Sequence, residues 1–155
     1  MSKVIKNFCK KHNIRNYTIR KDGSVDVANS VDLTFLDLEE LPFKFNNILG
    51  AFDVSGNRLK NFNNCPKVVG GFFGIDSNQL TSLKGCPEHI GKVFYCTDNN
   101  ISDLDHLPKT FEKIYIVSHK LKSISIPMDY NKLVCINKDR LIRKYKLNEI
   151  FKNII

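Results

Sequence analysis

Apolar and polar positions in the middle of this chain recur in a block of about twenty-one residues. Asn57, Asn78 and Asn99 stand twenty-one residues apart, and His119 takes the same place twenty residues later. Two positions after each comes an aliphatic residue (Leu59, Leu80, Ile101, Leu121), and five after comes another apolar one (Phe62, Leu83, Leu104, Ile124). Three before are Val54, Ile75, Cys96 and Ile116; five before are Phe52, Phe73, Phe94 and Ile114. Alternation such as Phe73-x-Ile75 predicts a short strand with one face buried and one face out. A fixed period in the twenties predicts a solenoid, in which each block is one coil stacked on the next.

The asparagine that ends each strand has donors and acceptors for the turn and for the neighbouring coil. Stacked copies therefore predict a buried asparagine ladder, with His119 as a hydrogen-bonding substitute. The return arm carries Pro66, Pro87, Pro108 and Pro127, each followed three residues later by an apolar anchor: Val69, Ile90, Phe111, Tyr130. Pro42 and Phe45 keep that spacing. About eight residues separate the last apolar slot from the next strand, too few for a helix, so irregular turns or single 3₁₀ turns are expected there. Six coils at about 4.8 Å per strand give a sheet roughly 25–30 Å long.

Solenoid ends must be sealed. Val4, Ile5, Phe8 and Cys9 lie at helical spacing within residues 2–12. Tyr17 and Ile19, Asp22-Gly23, then Val25 and Val27 read as a hairpin with a primed turn. Residues 1–27 are thus expected to form a helix-hairpin cap, and residues 28–138 about six coils. Residues 139–155, with Leu141, Ile142, Tyr145, Phe151 and Ile154 along one side, are expected to form a helical cap. The whole chain reads as one domain.

These blocks fit L-x-x-L-x-L-x-x-N-x-L-x-x-L, and from about residue 28 to 137 the chain resembles the leucine-rich repeat family. A leading coil shows as Val31-x-Leu33-x-x-Leu36-x-Leu38-x-x-Leu41, with Leu36 in the asparagine slot. A closing coil shows as Tyr130-x-x-Leu133-x-Cys135, with Lys138 in that slot. The first consensus leucine is kept as Leu49 and Phe111 but is Gly70 and Gly91 in the central copies. The stretch Asn78 to Pro87 looks like the short degenerate repeat proteins encoded by tailed phages. The resemblance implies an α/β-type solenoid: a right-handed coil with a parallel sheet on its concave face and a mostly irregular convex side. It also implies that a partner docks on the concave face.

Composition narrows the possibilities. Apolar stretches are too short for a spanning helix or a signal peptide, so a soluble, cytoplasmic protein is expected. Five cysteines are present. Cys96 and Cys135 hold inward strand slots, and Cys65 and Cys86 hold the slot Leu107 fills in the next copy, which marks small core residues rather than a disulfide framework. The formal charge of +8 is unevenly spread: residues 1–21 carry +7, residues 22–108 carry −6 and residues 109–155 carry +7.

On the expected concave face, slots alternating with the buried ones place Asp32, Asp53, Gly74, Tyr95, Tyr115 and Val134 in one row. Thr34, Ser55, Asp76, Thr97, Val117 and Ile136 form a second. Ser30, Ala51, Phe72, Val93, Lys113 and Lys132 form a third. Aromatic residues in the centre with charge outside them resemble a protein-binding hot spot. The candidate contacts are Asp32, Asp53, Phe72, Asp76, Val93, Tyr95, Thr97, Lys113, Tyr115, Val117 and Lys132. The plainer alternative is that Tyr95 and Tyr115 stack across adjacent strands.

Catalytic motifs are weak. Cys86-Pro-Glu-His89 brings a thiol near an imidazole, yet the matching Cys65-Pro-Lys-Val lacks the histidine. Cys9-Lys-Lys-His12 has no second pair at zinc spacing. Asp103 and Asp105 read as a solvated edge, and Gly70-Gly71 with Gly74 lacks the lysine of a phosphate loop and reads as close coil approach. No cofactor or metal is expected. The expected function is non-catalytic protein binding, with a basic patch on the partner. The likeness to phage-encoded repeat proteins implies that this partner is a host protein, such as a defence enzyme, that is inhibited or redirected. The alternative is nucleic-acid binding through the terminal basic residues: Lys3, Lys6, Lys10, Lys11, Arg15, Arg20 and Lys21, with Arg140, Arg143, Lys144 and Lys146.

Overall fold

The computed structural model describes residues 2–117 and 132–136, with Val117 and residues 133–136 as strand positions only. Helix α1 (Ser2–Lys11) buries Ile5 and Cys9, one turn apart, against the core. It ends where Asn13 adopts φ 54°, which lets the Ile14 amide donate back to the Cys9 carbonyl at 2.8 Å. Strands β1 (Tyr17–Ile19) and β2 (Val25–Val27) then pair antiparallel, Tyr17 opposite Val27. Their turn differs from the primed form expected. Asp22 is not left-handed; Gly23 is, at φ 80°. The Arg20 amide donates to the Ser24 carbonyl and Gly23 to Arg20, so the Arg20–Ser24 pair is closed by a turn of three residues, 21–23. Asp22 secures the turn by accepting from the Ser24 amide and hydroxyl.

The rest is a β-solenoid. Strands β3 (Val31–Asp32), β4 (Phe45–Ile48), β5 (Phe52–Asp53), β6 (Val68–Val69), β7 (Phe73–Gly74), β8 (His89–Ile90) and β9 (Val93–Tyr95) alternate between two sheets, and β10 (Lys113–Val117) and β11 (Leu133–Ile136) extend the sheet of β9. One has the order β11-β10-β9-β7-β5-β3, all parallel. The other has the order β1-β2-β4-β6-β8, parallel from β2 onward.

This second sheet corrects the expectation of an irregular return arm. Stacking at strand distance holds one coil's amides beside the next coil's carbonyls on both sides of the coil, and pairing satisfies them. Thus Gly70 donates to Ile48 and Gly91 to Val69 at 2.8 Å, and a bridge between His89 and Thr110 carries the pattern onward. Among the described residues α1 is the one α-helix, and no helix there is long and apolar enough to cross a membrane.

Between the sheets runs one apolar core. Phe52, Phe73 and Phe94 are fully buried and stack coil on coil, with centroids 6.0 and 5.3 Å apart. Phe45 and Phe43 extend this chain of rings to Phe8 on α1. Ile48, Val69 and Ile90 line the return side. Leu49, expected as a conserved apolar slot, is instead 68% exposed; the core position lies one residue earlier. Gly70 and Gly91 share the outward slot of Leu49, and there a side chain has no room. A Cβ on Gly91 would sit on the Gly70 carbonyl oxygen, and one on Gly70 on that of Leu49.

Asn57, Asn78 and Asn99 form the expected ladder, only 4–7% exposed. The Asn57 Oδ1 accepts from the amides of Leu36 and Leu38 at 3.1 and 3.0 Å. That of Asn78 accepts from Leu59, and that of Asn99 from Leu80, both at 3.0 Å. Each Nδ2 donates to a strand-end carbonyl of the preceding coil: Leu33, Val54 and Ile75 respectively. Asn57 and Asn78 also donate within their own turns, to Val54 and Ile75. The residue before each slot is left-handed whatever its type: Phe35, Gly56, Ser77 and Asp98 at φ 48–69°. His119 and the expected C-terminal helix over residues 139–155 lie outside the described residues, as does the Tyr130 anchor.

Two substitutions test this framework. Asn78→Ala leaves the Leu59 amide without its partner and removes bonds from Val54 and Ile75; about 3 kcal/mol of stability should be lost. The urea midpoint should fall at unchanged slope, whereas the exposed Gln79→Ala should stay within about 0.5 kcal/mol of wild type. Gly91→Ala should cost about 2 kcal/mol or more by forcing two backbones apart. Equal midpoints for wild type and either Asn78→Ala or Gly91→Ala would refute the packing described.

Candidate functional site

The outward face of the six-stranded sheet collects the candidate residues in register. Asp32 stands beside Asp53, Asp53 beside Gly74, Gly74 beside Tyr95, and Tyr95 beside Tyr115. Val93 stands beside Lys113 in the neighbouring row. Asp32, Lys113 and Lys132 are exposed, while Asp53, Phe72, Asp76, Val93, Tyr95, Thr97 and Tyr115 are half-buried. Val117 is placed as the β10 position beside Ile136.

The aromatic centre is a continuous row. Phe72 meets Tyr95 edge to face, with centroids 5.9 Å apart and planes at 80°. Tyr95 stacks on Tyr115 at 5.2 Å and 17°. The two tyrosines therefore do stack across adjacent strands. With faces spent on each other, what they offer outward is ring edges.

The acidic end is held by short polar bonds. Asp32 Oδ1 accepts from the Thr34 amide and hydroxyl at 2.9 and 2.8 Å, and Asp53 Oδ1 from the Ser55 amide at 3.0 Å. Asp76 Oδ1 reaches the next coil, accepting from the Thr97 amide at 2.6 Å and hydroxyl at 2.8 Å. Thr97 thus anchors Asp76. Burial pushes the Asp76 carboxyl above its ordinary range; the Thr97 bonds oppose this, and the charges of Asp53 and Asp98 add to it.

Two features escaped the pattern of outward slots. Gly74 is buried, and a Cβ there would lie 2.6 Å from Asp53 Oδ1 and 3.1 Å from the Ser55 hydroxyl, so the Asp53 carboxylate covers this slot, which has no side chain of its own. Phe35 is 80% exposed, its ring lying where a side chain at Gly56 would be. The signal for Phe35 was its place beside Leu36 in the asparagine register, the slot shared with Gly56. At the far end, the Lys132 ammonium lies 5.9 Å from the Phe111 ring centroid.

The other candidates separate. The Cys86 thiol donates to the His106 carbonyl at 3.2 Å, while His89 Nδ1 pairs with the Thr110 hydroxyl at 3.1 Å. Burial pushes the Cys86 thiol up to about 12, the reverse of an activated nucleophile. Cys65, Cys86 and Leu107 are half-buried and pack against the core. Cys9 is fully buried and His12 lies on Phe8 at 4.2 Å; among the described residues no three potential ligands gather for a metal. Asp103 accepts from the Ser102 hydroxyl and the Asp105 amide. Lys3, Lys6, Lys10, Lys11, Arg15 and Lys21 are exposed, whereas Arg20 is paired with Asp26 at 2.8 Å. Arg140, Arg143, Lys144 and Lys146 lie outside the described residues.

Comparison with protein-family models, curated proteins and solved structures finds no match to this chain.

The carboxyl of Asp76 gives a pH-dependent test. Its folded pKa is raised, so the folded state binds the proton more tightly than the unfolded chain, and stability falls as pH rises through that window. Asp76→Asn keeps an oxygen for Thr97 and removes the charge. It should raise the thermal midpoint at pH 7, with the gain disappearing near pH 3, where both side chains are neutral. A midpoint at pH 7 below that of wild type would show that the ionised form stabilises the coil.

Proposed function

We propose that this protein is a non-catalytic protein-binding module that works through the outward face of the six-stranded sheet. The observation that carries this reading is the Phe72–Tyr95–Tyr115 row, set on a sheet face between carboxylates and lysines. Aromatic side chains offer large contact area at small rotamer cost. The carboxylates of Asp32, Asp53 and Asp76 favour a partner with a basic patch and speed encounter with it. In this reading the coil is a short leucine-rich repeat, the docking face is its concave side, and α1 with the β1–β2 hairpin seals one end. Cytoplasmic action on a host enzyme, inhibiting or redirecting it, follows from the resemblance to phage-encoded repeat proteins.

A second reading places function on the basic N-terminal residues. Of the seven cations in residues 1–21, Arg20 is the one in a described ion pair, which leaves a positively charged helix surface suited to phosphate. Binding there would weaken steeply with salt and would not depend on the tyrosines.

The test is capture from a bacterial lysate with wild type and with a folded Tyr95→Ala/Tyr115→Ala variant, read by mass spectrometry. A stoichiometric protein captured by wild type and reduced at least tenfold with the variant is the expected result. Nuclease-sensitive capture of many proteins, equal for both, would shift the function to the basic helix.

A further inference from the structure

The docking face carries opposite charge at its two ends, and its pattern is complementary to its own reverse. We propose that a second copy of this chain occupies the face, giving a twofold dimer in which two six-stranded sheets stack; this rests on the sheet face being the docking surface.

The strand order fixes the geometry. In β11-β10-β9-β7-β5-β3, a twofold axis parallel to the strands and midway between β7 and β9 sets β7 over the partner copy's β9, β5 over its β10 and β3 over its β11. Closed symmetry makes every contact occur twice. The Tyr95 slot then faces the Gly74 slot, so the ring edge and hydroxyl of Tyr95 meet the partner copy's Asp53 carboxylate, which lies over Gly74. Phe72 faces Val93, apolar on apolar. Lys113, exposed on β10, faces Ala51, two residues along from Asp53 on β5. That offset is about 6.6 Å, within reach of a lysine side chain. The alternative stacking, with the axis along the solenoid, sets the Asp53 strand over itself and repels.

The face is small. Five strand spacings by four residues give a footprint on the order of 24 by 13 Å, well below the roughly 800 Å² per partner of a standard interface. The dimer is accordingly weak and readily reversible. A foreign protein that fills the same face displaces the second copy.

Sedimentation velocity over a concentration series reads the dimer directly. Wild type should dimerise reversibly. Asp53→Lys and Lys113→Asp should each weaken the dimer about tenfold, and Tyr95→Ala at least as much. The double variant Asp53→Lys/Lys113→Asp should return to within about threefold of wild type, because each reversed charge meets a reversed partner. Within one chain the two positions are three strands, about 14 Å, apart, beyond the screening length of about 8 Å at physiological salt. Rescue therefore reports contact between copies. Lys113 is exposed, so Lys113→Asp reads association even if Asp53→Lys alone folds poorly. A wild type that stays monomeric at millimolar concentration, a dimer indifferent to all three changes, or absence of rescue would overturn the dimer. If the monomeric protein still captured a foreign protein through Tyr95 and Tyr115, the docking face would stand and the second copy alone would fall.

Discussion

Everything in this fold depends on satisfying the backbone at the turn that follows each strand of the six-stranded sheet. That turn is buried between coils, where an unpaired amide or carbonyl is costly. Asparagine meets the need because one end of its side chain accepts and the other donates. Asn57, for example, takes two amides and gives to the carbonyl of Leu33 with the same side chain. Aspartate could not donate, and leucine could do neither. Leu36 shows the rule by its exception: it occupies the asparagine slot of the first coil, where no earlier coil precedes it to be joined.

Once the turns are joined, spacing does the rest. A constant coil height places like slots of successive coils beside one another, so any residue type repeated at a slot becomes a column. Phenylalanine in the inward slot becomes the stacked spine of Phe52, Phe73 and Phe94. Tyrosine in an outward slot becomes the stacked pair on the surface. Glycine at 70 and 91 becomes a column of bare backbone where neighbouring coils touch. The same rule brings acids together: burial is the main cause of the raised pKa of Asp76, and the charges of Asp53 and Asp98 add to it.

Much of this was legible in the residues because a solenoid converts sequence period into spatial adjacency. The asparagine ladder, the inward aromatic slot and the outward rows followed from counting. The second sheet did not, because Val68-Val69 and His89-Ile90 are too short to read as strands alone. They pair because the coils on either side hold them at strand distance. Leu49 misled by fitting a consensus leucine while Ile48, its neighbour, is the buried residue. At the hairpin Asp22-Gly23 suggested a two-residue turn, yet the Arg20–Ser24 pairing needed three. Thr97 was legible as an outward residue, but its bond to Asp76 on the preceding coil depends on side-chain reach that spacing does not encode.

The asparagines also give the chain a direction in time. Each reaches back, so the turn of one coil is completed by a residue about twenty positions later: Leu36 and Leu38 by Asn57, Leu59 by Asn78, Leu80 by Asn99. On a ribosome, where the N-terminal part emerges first, each of these coils must wait for its successor to leave the exit tunnel before its turn closes. Over these coils assembly therefore trails synthesis by one coil, and the growing end is one asparagine short of finished.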